Sequence, residues 1–266
     1  ILPLSGAIWS TPSTEIMDFP AQTLVQFFKN HALMGITGQH QWYTVRGGSV
    51  EYVSRLIADL GRQGVELRDN TPVQAVKRVP CGVLVKARGG EYEPFDEVIF
   101  ATHSDITMSL LADATPDEQA ALGAIKYQPN QAVLHADTRL MPKRRKVWAS
   151  WNYCEQPGAR GDKIDLTYWM NKLQPIPVDD PMFVTLNSNQ QIRDELIYDS
   201  VSFSHPVYDL AAQTGRAQIR DMQGRAHTWF CGAWMKNGFH EDGLASAVDV
   251  VQGLADRALT EGIAAE

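Results

Sequence analysis

Two short segments near the end of the chain combine a strand pattern, glycines and the start of a helix. Residues 228–234 read Thr-Trp-Phe-Cys-Gly-Ala-Trp, which predicts a buried strand that ends at a glycine. Residues 238–247 read Gly-Phe-His-Glu-Asp-Gly-Leu-Ala-Ser-Ala, which predicts a loop that opens a helix. Backbone N–H groups and the helix dipole at such a start attract ligands with negative or partly negative charge. Gly243 would let such a ligand approach the backbone closely.

The charged residues at this helix start are equally compatible with a purely structural role. Glu241 and Asp242 are favourable in the first turn of any helix, and Gly238 suits a plain turn, so a ligand site and a structural role both stay open. Adjacent residues of His240-Glu241-Asp242 point different ways on a helix, and no second His or Cys lies at ligand spacing, so we predict no metal site. The sequence also lacks the Gly-x-Ser-x-Gly motif of serine hydrolases and the phosphate-binding loop of nucleotide hydrolases, which disfavours both classes.

The composition narrows the class of protein further. The 266 residues are 44% hydrophobic and 21% charged, as expected for a globular protein of one or two domains. A formal net charge of −7 disfavours nucleic acid and anionic membranes as partners, because both require clustered Lys and Arg. Cys81, Cys154 and Cys231 are widely spaced, which predicts neither disulfides nor zinc and fits a reducing cytoplasm. Without an apolar run of about 18 residues, we expect a cytoplasmic protein with no integral membrane segment.

The spacing of apolar residues predicts the elements that position the site. A period near 3.6 predicts helices, the second capped by Ser49, over residues 19–34, 49–62, 105–111, 116–124, 208–220 and 241–259. Short apolar or alternating runs predict strands over residues 65–67, 73–76, 83–85, 98–101, 131–136, 147–153, 164–170, 182–186, 197–203 and 227–231. We expect the first and fourth of these strands to be buried and the second and third to form a hairpin. The predicted fold class is therefore α/β, or mixed α+β.

Four motifs give the chain a family resemblance. They are Arg46-Gly47-Gly48-Ser49 before a helix, Asn70-Thr71-Pro72-Val73, Val98-Ile99-Phe100-Ala101-Thr102-His103, and Phe230-Cys231-Gly232 with residues 238–244. Together they resemble the flavin-containing amine oxidase superfamily, and residues 148–153 and 230–234 resemble its bacterial branch of predicted NAD/FAD-binding oxidoreductases. The resemblance runs through nearly the whole chain and implies FAD as the cofactor. It implies no single reaction, because the superfamily covers amine oxidation, carotenoid desaturation and porphyrinogen oxidation.

The resemblance also implies which residues contact the cofactor. Val73 matches the position whose backbone meets the adenine ring of FAD. Ala101 and Thr102 match residues that line the dinucleotide, and Gly232 and Ala233 match the loop beside the ribityl chain and the pyrophosphate. We therefore expect these five residues to lie on one cofactor-binding surface.

A further contact is implied at the start of the last helix. Asp242, Gly243 and Leu244 match the helix start whose amides face the pyrimidine oxygens of the flavin. Ala233 and Trp234 depart from the pattern, because many relatives have an acidic residue there that binds the ribityl hydroxyls. The ribityl contact therefore stays open.

One segment of the family pattern is absent from the sequence. Such proteins open with a strand, a Gly-x-Gly-x-x-Gly turn and a helix that binds the pyrophosphate, followed about 20 residues later by an acid for the ribose. No such motif is present, and Ile1 resembles a position well inside the family's sequence. We therefore expect an N-terminally truncated chain. Its FAD-binding Rossmann-like domain would lack the N-terminal βαβ unit, and the chain alone would not hold FAD.

In this family a substrate domain, or cap, is inserted between parts of the FAD-binding domain. The resemblance predicts a first part of the cap over residues 1–45, the middle of the FAD-binding domain over 46–104, a mixed-sheet cap over 105–222, and the C-terminal part of the FAD-binding domain over 223–266. Trp151, Tyr153 and Tyr168 are candidates for lining a pocket for a hydrophobic substrate. Packing within the core of the sheet is the alternative for each of them.

The expected function is that of an FAD-dependent oxidoreductase that oxidises a C–N or C–C bond of a hydrophobic small molecule. The flavin performs the hydride chemistry while the protein positions the substrate, so the sequence names no catalytic acid or base. The alternative is a non-catalytic ligand-binding module derived from the same fold. A nicotinamide-only dehydrogenase is disfavoured, because residues 238–244 resemble a flavin contact. Substrate, electron acceptor and oligomeric state stay open.

Overall fold

The computed structural model describes residues 2–9, 11, 16–35, 37–38, 40–41, 43–154 and 165–264. The chain forms two compact units that alternate along the sequence: unit 1 contains Ile1–Arg68 and Tyr127–His205, and unit 2 contains Asp69–Lys126 and Pro206–Glu266. The boundaries between these two units differ from the predicted domain boundaries. The assignment of one part to the cofactor and another to the substrate stays a prediction.

The two units are built from eight helices and ten strands within the described residues. The helices are α1 (Leu2–Trp9), α2 (Ala21–Asn30), α3 (Val50–Arg62), α4 (Ser104–Leu110), α5 (Pro116–Gly123), α6 (Met170–Leu173), α7 (Leu210–Met222) and α8 (His240–Ala264). The strands are β1 (Val73–Val79), β2 (Gly82–Ala87), β3 (Tyr92–Phe95), β4 (Val98–Phe100), β5 (Tyr127–His135), β6 (Trp151–Tyr153), β7 (Leu166–Trp169), β8 (Phe183–Leu186), β9 (Ile197–Pro206) and β10 (Thr228–Phe230). None of the described helices has the length and apolar character needed to cross a membrane.

Unit 1 is organised around a five-stranded sheet in the order β6-β7-β8-β5-β9. The pairs β6–β7, β7–β8 and β8–β5 are antiparallel. Successive residues of a strand point to opposite faces. On one face Leu166 and Tyr168 pack with Ala7 of α1, and on the other Trp169 packs with Phe183. Strand β7 is therefore buried on both faces.

Unit 2 contains two separate sheets. Strands β1, β2 and β3 form an antiparallel sheet, whereas β4 and β10 form a two-stranded parallel sheet in which Phe100 is opposite Phe230. Helices α5 and α7 cross so closely that a Cβ on Gly215 would lie 2.6 Å from the carbonyl oxygen of Ala121. Helix α8 covers one face of β10, where Val250 packs against the ring of Trp229. Four of the predicted cofactor residues directly follow the carboxyl ends of this parallel pair: Ala101 and Thr102 follow β4, and Gly232 and Ala233 follow β10.

A buried ion pair fastens β1 to α5 in unit 2. The guanidinium of Arg78 donates to both carboxylate oxygens of Glu118, and the two side chains are only 9% and 7% exposed. Glu118 also accepts from the backbone N–H of Thr115 while Thr115 accepts from that of Glu118, so the pair doubles as the N-terminal capping box of α5. Asp113 completes the cluster at its more exposed rim.

Several sequence predictions are wrong, each for a local reason. Residues 65–67 form no strand, and Val65 and Leu67 are 45% and 48% exposed. A strand of that apolar type needs neighbours, and none of the described strands pairs with it. Ser49 adopts helical angles (φ −64°, ψ −23°) and its side chain makes no cap hydrogen bond. Ile99, predicted to be buried, is 44% exposed, because β4 has a neighbour on one edge only.

Other predicted elements are present with shifted ends. The hairpin formed by β1 and β2 is confirmed, and so are α4, α5, α7 and α8. Residue 164, where one predicted strand begins, lies outside the described residues, and β7 begins at Leu166. The sequence patterns missed α1, α6 and β3. Strand β3 has only four residues and contains Pro94, and a proline within a short run argues against a strand.

A buried histidine in unit 1 makes stability depend on pH. His135 is fully buried; its Nδ1 accepts from the backbone N–H of Asp137 (3.0 Å), and its Nε2 lies 2.7 Å from Oγ1 of Thr185. The bond to Asp137 requires Nδ1 to be unprotonated, so the ring is neutral and Nε2 donates to Thr185. Burial lowers the pKa of His135 below its usual 6.5, although the negative charge of Asp137 opposes this.

The unfolding free energy is therefore expected to fall as the pH drops below 6.5. Below this pH the histidine is protonated in the unfolded chain but stays neutral in the folded chain. The stabilisation that depends on neutral His135 is therefore complete above pH 6.5, and it is lost at lower pH by at most about 1.4 kcal/mol per pH unit. Denaturant unfolding of the wild type and His135→Gln between pH 7.5 and 5 measures the effect, and the variant should show the flatter profile. Exposed His40→Gln is the control, and equal slopes in the wild type and His135→Gln would contradict the prediction.

Candidate cofactor site

The parallel pair in unit 2 brings two predicted cofactor segments to one edge. Strand β4 ends at Phe100 and β10 ends at Phe230, opposite each other in the register. The N–H of Cys231 donates to the carbonyl oxygen of Phe100 (2.9 Å), so the two chains leave the sheet side by side. Ligands of open α/β sheets bind outside the carboxyl ends of parallel strands. The segments that follow β4 and β10 therefore lie where this class of fold binds ligands.

Gly232 has a backbone conformation that other residues rarely adopt. Its φ of 142° and ψ of 161° belong to a region used almost only by glycine. Its N–H donates to the hydroxyl of Ser246 on α8 (2.9 Å). The hydrogen of that hydroxyl is within reach of the carbonyl oxygens of Gly232 (3.1 Å) and Gly243 (2.7 Å). Ser246 thus fixes the loop after β10 to the first turns of α8.

Trp234 joins the loop after β10 to the end of β4. Its indole Nε1 donates to the carbonyl oxygen of Thr102 (3.0 Å), and the side chain is 3% exposed. The position where many relatives have an acid for the ribityl hydroxyls is therefore occupied here by a buried structural tryptophan. Ala233, the neighbouring residue, offers no side-chain hydrogen bond either. A ribityl contact at this loop could use backbone groups only.

The start of α8 is capped from within the loop. Phe239 precedes the helix, and its N–H donates to the carboxylate of Asp242 (3.0 Å), to which Asn237 also donates (3.3 Å). These two hydrogen bonds occupy the carboxylate of Asp242. Asp242 would therefore contact a ligand through its backbone amide and not through its side chain. The first intrahelical bond is from the N–H of Gly243, so the amides of His240, Glu241 and Asp242 have no acceptor within the helix. A Cβ on Gly243 would lie 3.7 Å from the nitrogen of Ala233, which places the helix start against the β10 loop.

Val73, Ala101 and Thr102 line one apolar cavity of about 330 Å³, whose walls come from β1, β2, β4 and α4. Other lining residues are Val76, Val85, Val98, Ile99, Phe100, Ile106 and Leu110. The predicted cofactor residues thus fall into two groups, this cavity and the cluster of Gly232, Ala233 and Gly243, which the Trp234–Thr102 bond connects. Leu244 lies at the surface of α8 with 62% of its area exposed.

Two side chains that the sequence did not single out support the loop before α8. Arg216 on α7 is 8% exposed, donates through Nη1 to the carbonyl oxygen of Lys236, and stacks over the ring of Tyr208 at 5.1 Å. A Cβ on Gly238 would lie 2.5 Å from the hydroxyl of Tyr208, so this glycine is required by the contact. Burial lowers the pKa of Arg216 below its usual value. A buried arginine on a helix carries no recognisable sequence signal, because most arginines are exposed.

The three candidate substrate residues lie in unit 1 on neighbouring strands. Trp151 of β6 is opposite Tyr168 of β7, and their rings meet edge to face at 5.5 Å. Tyr153 and Tyr168 pack against the cluster of Ala7 and Leu166, whereas Trp151 is 39% exposed. Burial raises the pKa of Tyr168 to about 12, which keeps its phenol neutral. Of the three, Trp151 has the most surface available for a ligand, and the role of all three stays a prediction.

The described residues fit one side of an FAD molecule. They supply loop backbone at the ends of two parallel strands, a helix start with free amides, and an apolar cavity beside them. The sequence contains no Gly-x-Gly-x-x-Gly turn for the pyrophosphate, so that part of the site is not provided by these residues. The fold and site define an FAD-binding α/β protein with a second, sheet-based unit.

Comparison with known proteins agrees with this class. The sequence profile of the family described as flavin containing amine oxidoreductase matches residues 2–168, more than half of the chain. The chain belongs to this family, whose members are FAD-dependent oxidoreductases, and FAD is the cofactor that membership implies. No curated protein sequence matches the chain.

Solved structures share the fold at low sequence identity. A provisionally assigned protoporphyrinogen oxidase from Exiguobacterium sp. 255-15 matches with TM-score 0.57 and 14% identity over 96% of this chain and 62% of its own. Cyclohexylamine oxidase from Brevibacterium oxydans IH-35A matches with TM-score 0.56 and 11% identity, over 96% and 64%. Putrescine oxidase with bound putrescine matches with TM-score 0.52 and 14% identity, over 81% and 53%. This chain therefore spans roughly half to two thirds of the length of these structures.

Proposed function

We propose that this chain provides the substrate-binding sheet and one side of the flavin site of an FAD-dependent oxidoreductase. The observation that carries the proposal is the Trp234–Thr102 bond, because it holds the loops after β4 and β10 together beside the start of α8. Bound FAD would accept a hydride from the substrate. The residues of this chain would hold the flavin by backbone groups of Gly232, Ala233 and the α8 start.

The proposed substrate is a hydrophobic small molecule with an oxidisable C–N or C–C bond. Aromatic side chains on β6 and β7, with Trp151 the most exposed, support this class of substrate. Two of the structural neighbours are oxidases of amines, namely cyclohexylamine and putrescine. The amine itself is a proposal for this chain, since likeness at 11–14% identity reflects shared fold.

The visible absorption spectrum tests the proposal. It is recorded on purified protein expressed from the complete reading frame that contains this sequence. Purified protein should show the two absorption bands of oxidised flavin, and added substrate should bleach them. Trp234→Phe removes one hydrogen bond at the site and should weaken FAD binding by about 0.5–1.5 kcal/mol, or roughly two- to tenfold. Trp148→Phe removes an equivalent bond to the carbonyl of Pro142 in unit 1 and serves as the control. A protein that stays colourless with added FAD would refute the proposal and favour a ligand-binding module.

A further inference from the structure

Residues 142–148 of unit 1 form a loop with four consecutive cations, namely Lys143, Arg144, Arg145 and Lys146. All four side chains are exposed, and within the described parts of the chain none of them forms an ion pair. Like charges that follow one another repel, so such a run gains when it meets anions. The charge of this basic loop is therefore available to a partner.

A pair of tryptophans holds the basic loop in place. The indole Nε1 of Trp148 donates to the carbonyl oxygen of Pro142 (2.7 Å) and closes the loop. The guanidinium of Arg145 lies over the ring of Trp148 at 5.2 Å, and that ring meets Trp169 edge to face at 5.1 Å. Lys172, a fifth exposed cation, lies over the ring of Trp169 at 5.8 Å. Because the loop is already ordered, binding would cost little additional ordering.

Apolar side chains lie among these cations. Arg145 donates to the carbonyl oxygen of Val178 (3.3 Å), which places the loop before β8 against the basic loop. The side chains of Val147 and Val178 are 59% and 56% exposed, one on each loop. Asp179 and Asp180 bring two acids against the five cations, so the surface stays positive. We call the two loops together with Lys172 the basic patch.

We propose that the basic patch docks unit 1 on the surface of an anionic lipid membrane. Such a surface offers phosphates to the cations and, just below them, an apolar layer to Val147 and Val178. An acidic protein or a nucleic acid would satisfy the cations but would give the two valines no comparable apolar layer. The overall charge of −7 does not prevent docking, because salt at about 0.1 M screens charges that lie more than about 10 Å from the contact.

The docked patch would lie at the start of the strand that carries a candidate substrate residue. Strand β6 begins at Trp151, directly after the segment that follows Trp148. A hydrophobic substrate would concentrate in the membrane and could be taken from it. This source of substrate rests on the proposed function, whereas the docking itself needs neither flavin nor substrate.

Sedimentation with lipid vesicles tests the docking. Protein purified from the complete reading frame is mixed with vesicles of phosphatidylglycerol and phosphatidylcholine in equal amounts, or with vesicles of phosphatidylcholine alone. We expect binding to the anionic vesicles in salt of about 0.1 M, loss of that binding at about 1 M, and at least about tenfold weaker binding to the neutral vesicles. No binding to the anionic vesicles, or equal binding to both kinds, would overturn the proposal. Flavin absorption of the same preparation reports separately on the proposed function.

Charge removal within the patch shows whether these cations make the contact. The triple variant Lys143→Gln, Arg144→Gln and Lys146→Gln should bind anionic vesicles at least about thirtyfold more weakly, since each cation near such a surface contributes about fivefold in affinity. Arg145 stays in place because it contacts Trp148 and the other loop. Circular dichroism checks that the variant retains the fold.

A matched triple variant controls for overall charge. Arg55→Gln, Lys77→Gln and Arg88→Gln removes the same charge from exposed positions outside the patch, and should change vesicle binding by less than about threefold. An equal loss of binding in the two triple variants would mean that overall charge decides the binding, and the proposal would be wrong.

An apolar substitution distinguishes a lipid surface from an acidic protein. Val147→Gln should weaken vesicle binding about three- to tenfold, because the side chain no longer gains from leaving water. Binding of poly-L-glutamate, an anionic probe without an apolar layer, should not change. Val201→Gln on β9, where the side chain is 43% exposed, is the control and should bind vesicles as the wild type does. Wild-type vesicle affinity of Val147→Gln, or binding of poly-L-glutamate without binding of vesicles, would contradict docking on lipid.

Discussion

Glu118→Ala is expected to lower the free energy of unfolding by about 3–5 kcal/mol, the usual effect of removing one partner of a buried ion pair. Nη1 and Nη2 of Arg78 lie 2.5 and 2.9 Å from the two carboxylate oxygens of Glu118. Without the carboxylate, the guanidinium keeps only the rim contact to Asp113 and its main-chain carbonyl. The substitution also removes the acceptor for the N–H of Thr115, so the capping box of α5 is lost with the ion pair.

Denaturant unfolding at neutral pH measures this effect, with an exposed ion pair as the reference. Asp59→Ala removes the partner of Arg62 on α3, where the side chains are 49% and 70% exposed, and should cost less than about 1 kcal/mol. Burial alone would raise the pKa of Glu118, but hydrogen bonds from Arg78 and Thr115 hold it below its usual 4.5. The stabilisation that ionised Glu118 provides is therefore complete above pH 4.5, and it is lost as the pH falls below that value. Equal losses for Glu118→Ala and Asp59→Ala would show that the pair is not buried in solution.

Gly232→Ala is expected to destabilise unit 2 by about 1.5–4.5 kcal/mol, the sum of backbone strain and one lost hydrogen bond, and to disturb the cofactor site at the same time. The conformation of Gly232, with φ at 142°, costs any other residue about 1–3 kcal/mol. The new Cβ would also lie 2.7 Å from Nε1 of Trp234, which is the atom that donates to Thr102. Displacement of the indole would break that bond, so the loops after β4 and β10 would no longer be held together.

The backbone and side-chain parts of this effect can be separated. Gly48→Ala has the same kind of backbone cost, since φ is 85°, but its Cβ would have nothing within 4 Å. We expect Gly48→Ala to cost about 1–2 kcal/mol from strain alone. Thermal unfolding, followed by near-ultraviolet circular dichroism of the tryptophans, compares the two variants. A Gly232→Ala protein with the wild-type spectrum and the stability of Gly48→Ala would mean that Trp234 is not pinned as described.

The segments of the cofactor site were predictable because each depends on local sequence. A short apolar run that ends in Gly232 predicts β10, and the glycine and acids around Asp242 predict the start of α8. The motifs that carry the family resemblance are contiguous stretches of the same kind. Whether each side chain touches a ligand was not predictable in this way. Asp242 illustrates the limit, because its carboxylate caps α8.

Burial was the least predictable property. Val65 and Leu67 have the pattern of a buried strand, and Leu244 and Val248 have that of a buried helix face, yet all four are exposed. An apolar period shows which face of an element is suited to burial, but the partner that buries it lies elsewhere in sequence. For Leu244 and Val248 of α8, the described residues contain no such partner.

By itself, the sequence determined the family, its FAD cofactor, and the positions of β4, β10 and α8, because motifs and apolar periodicity are local properties of a chain. Only the tertiary structure decided which groups hold the site together. The bond from Trp234 to Thr102 joins residues 132 positions apart, and Arg216 supports the loop at Lys236 from a different helix. Such contacts arise from the parallel pairing of β4 with β10 and from the packing of α7 and α8 around it. Pairing of distant segments leaves no repeating pattern in either one, so it had to be observed.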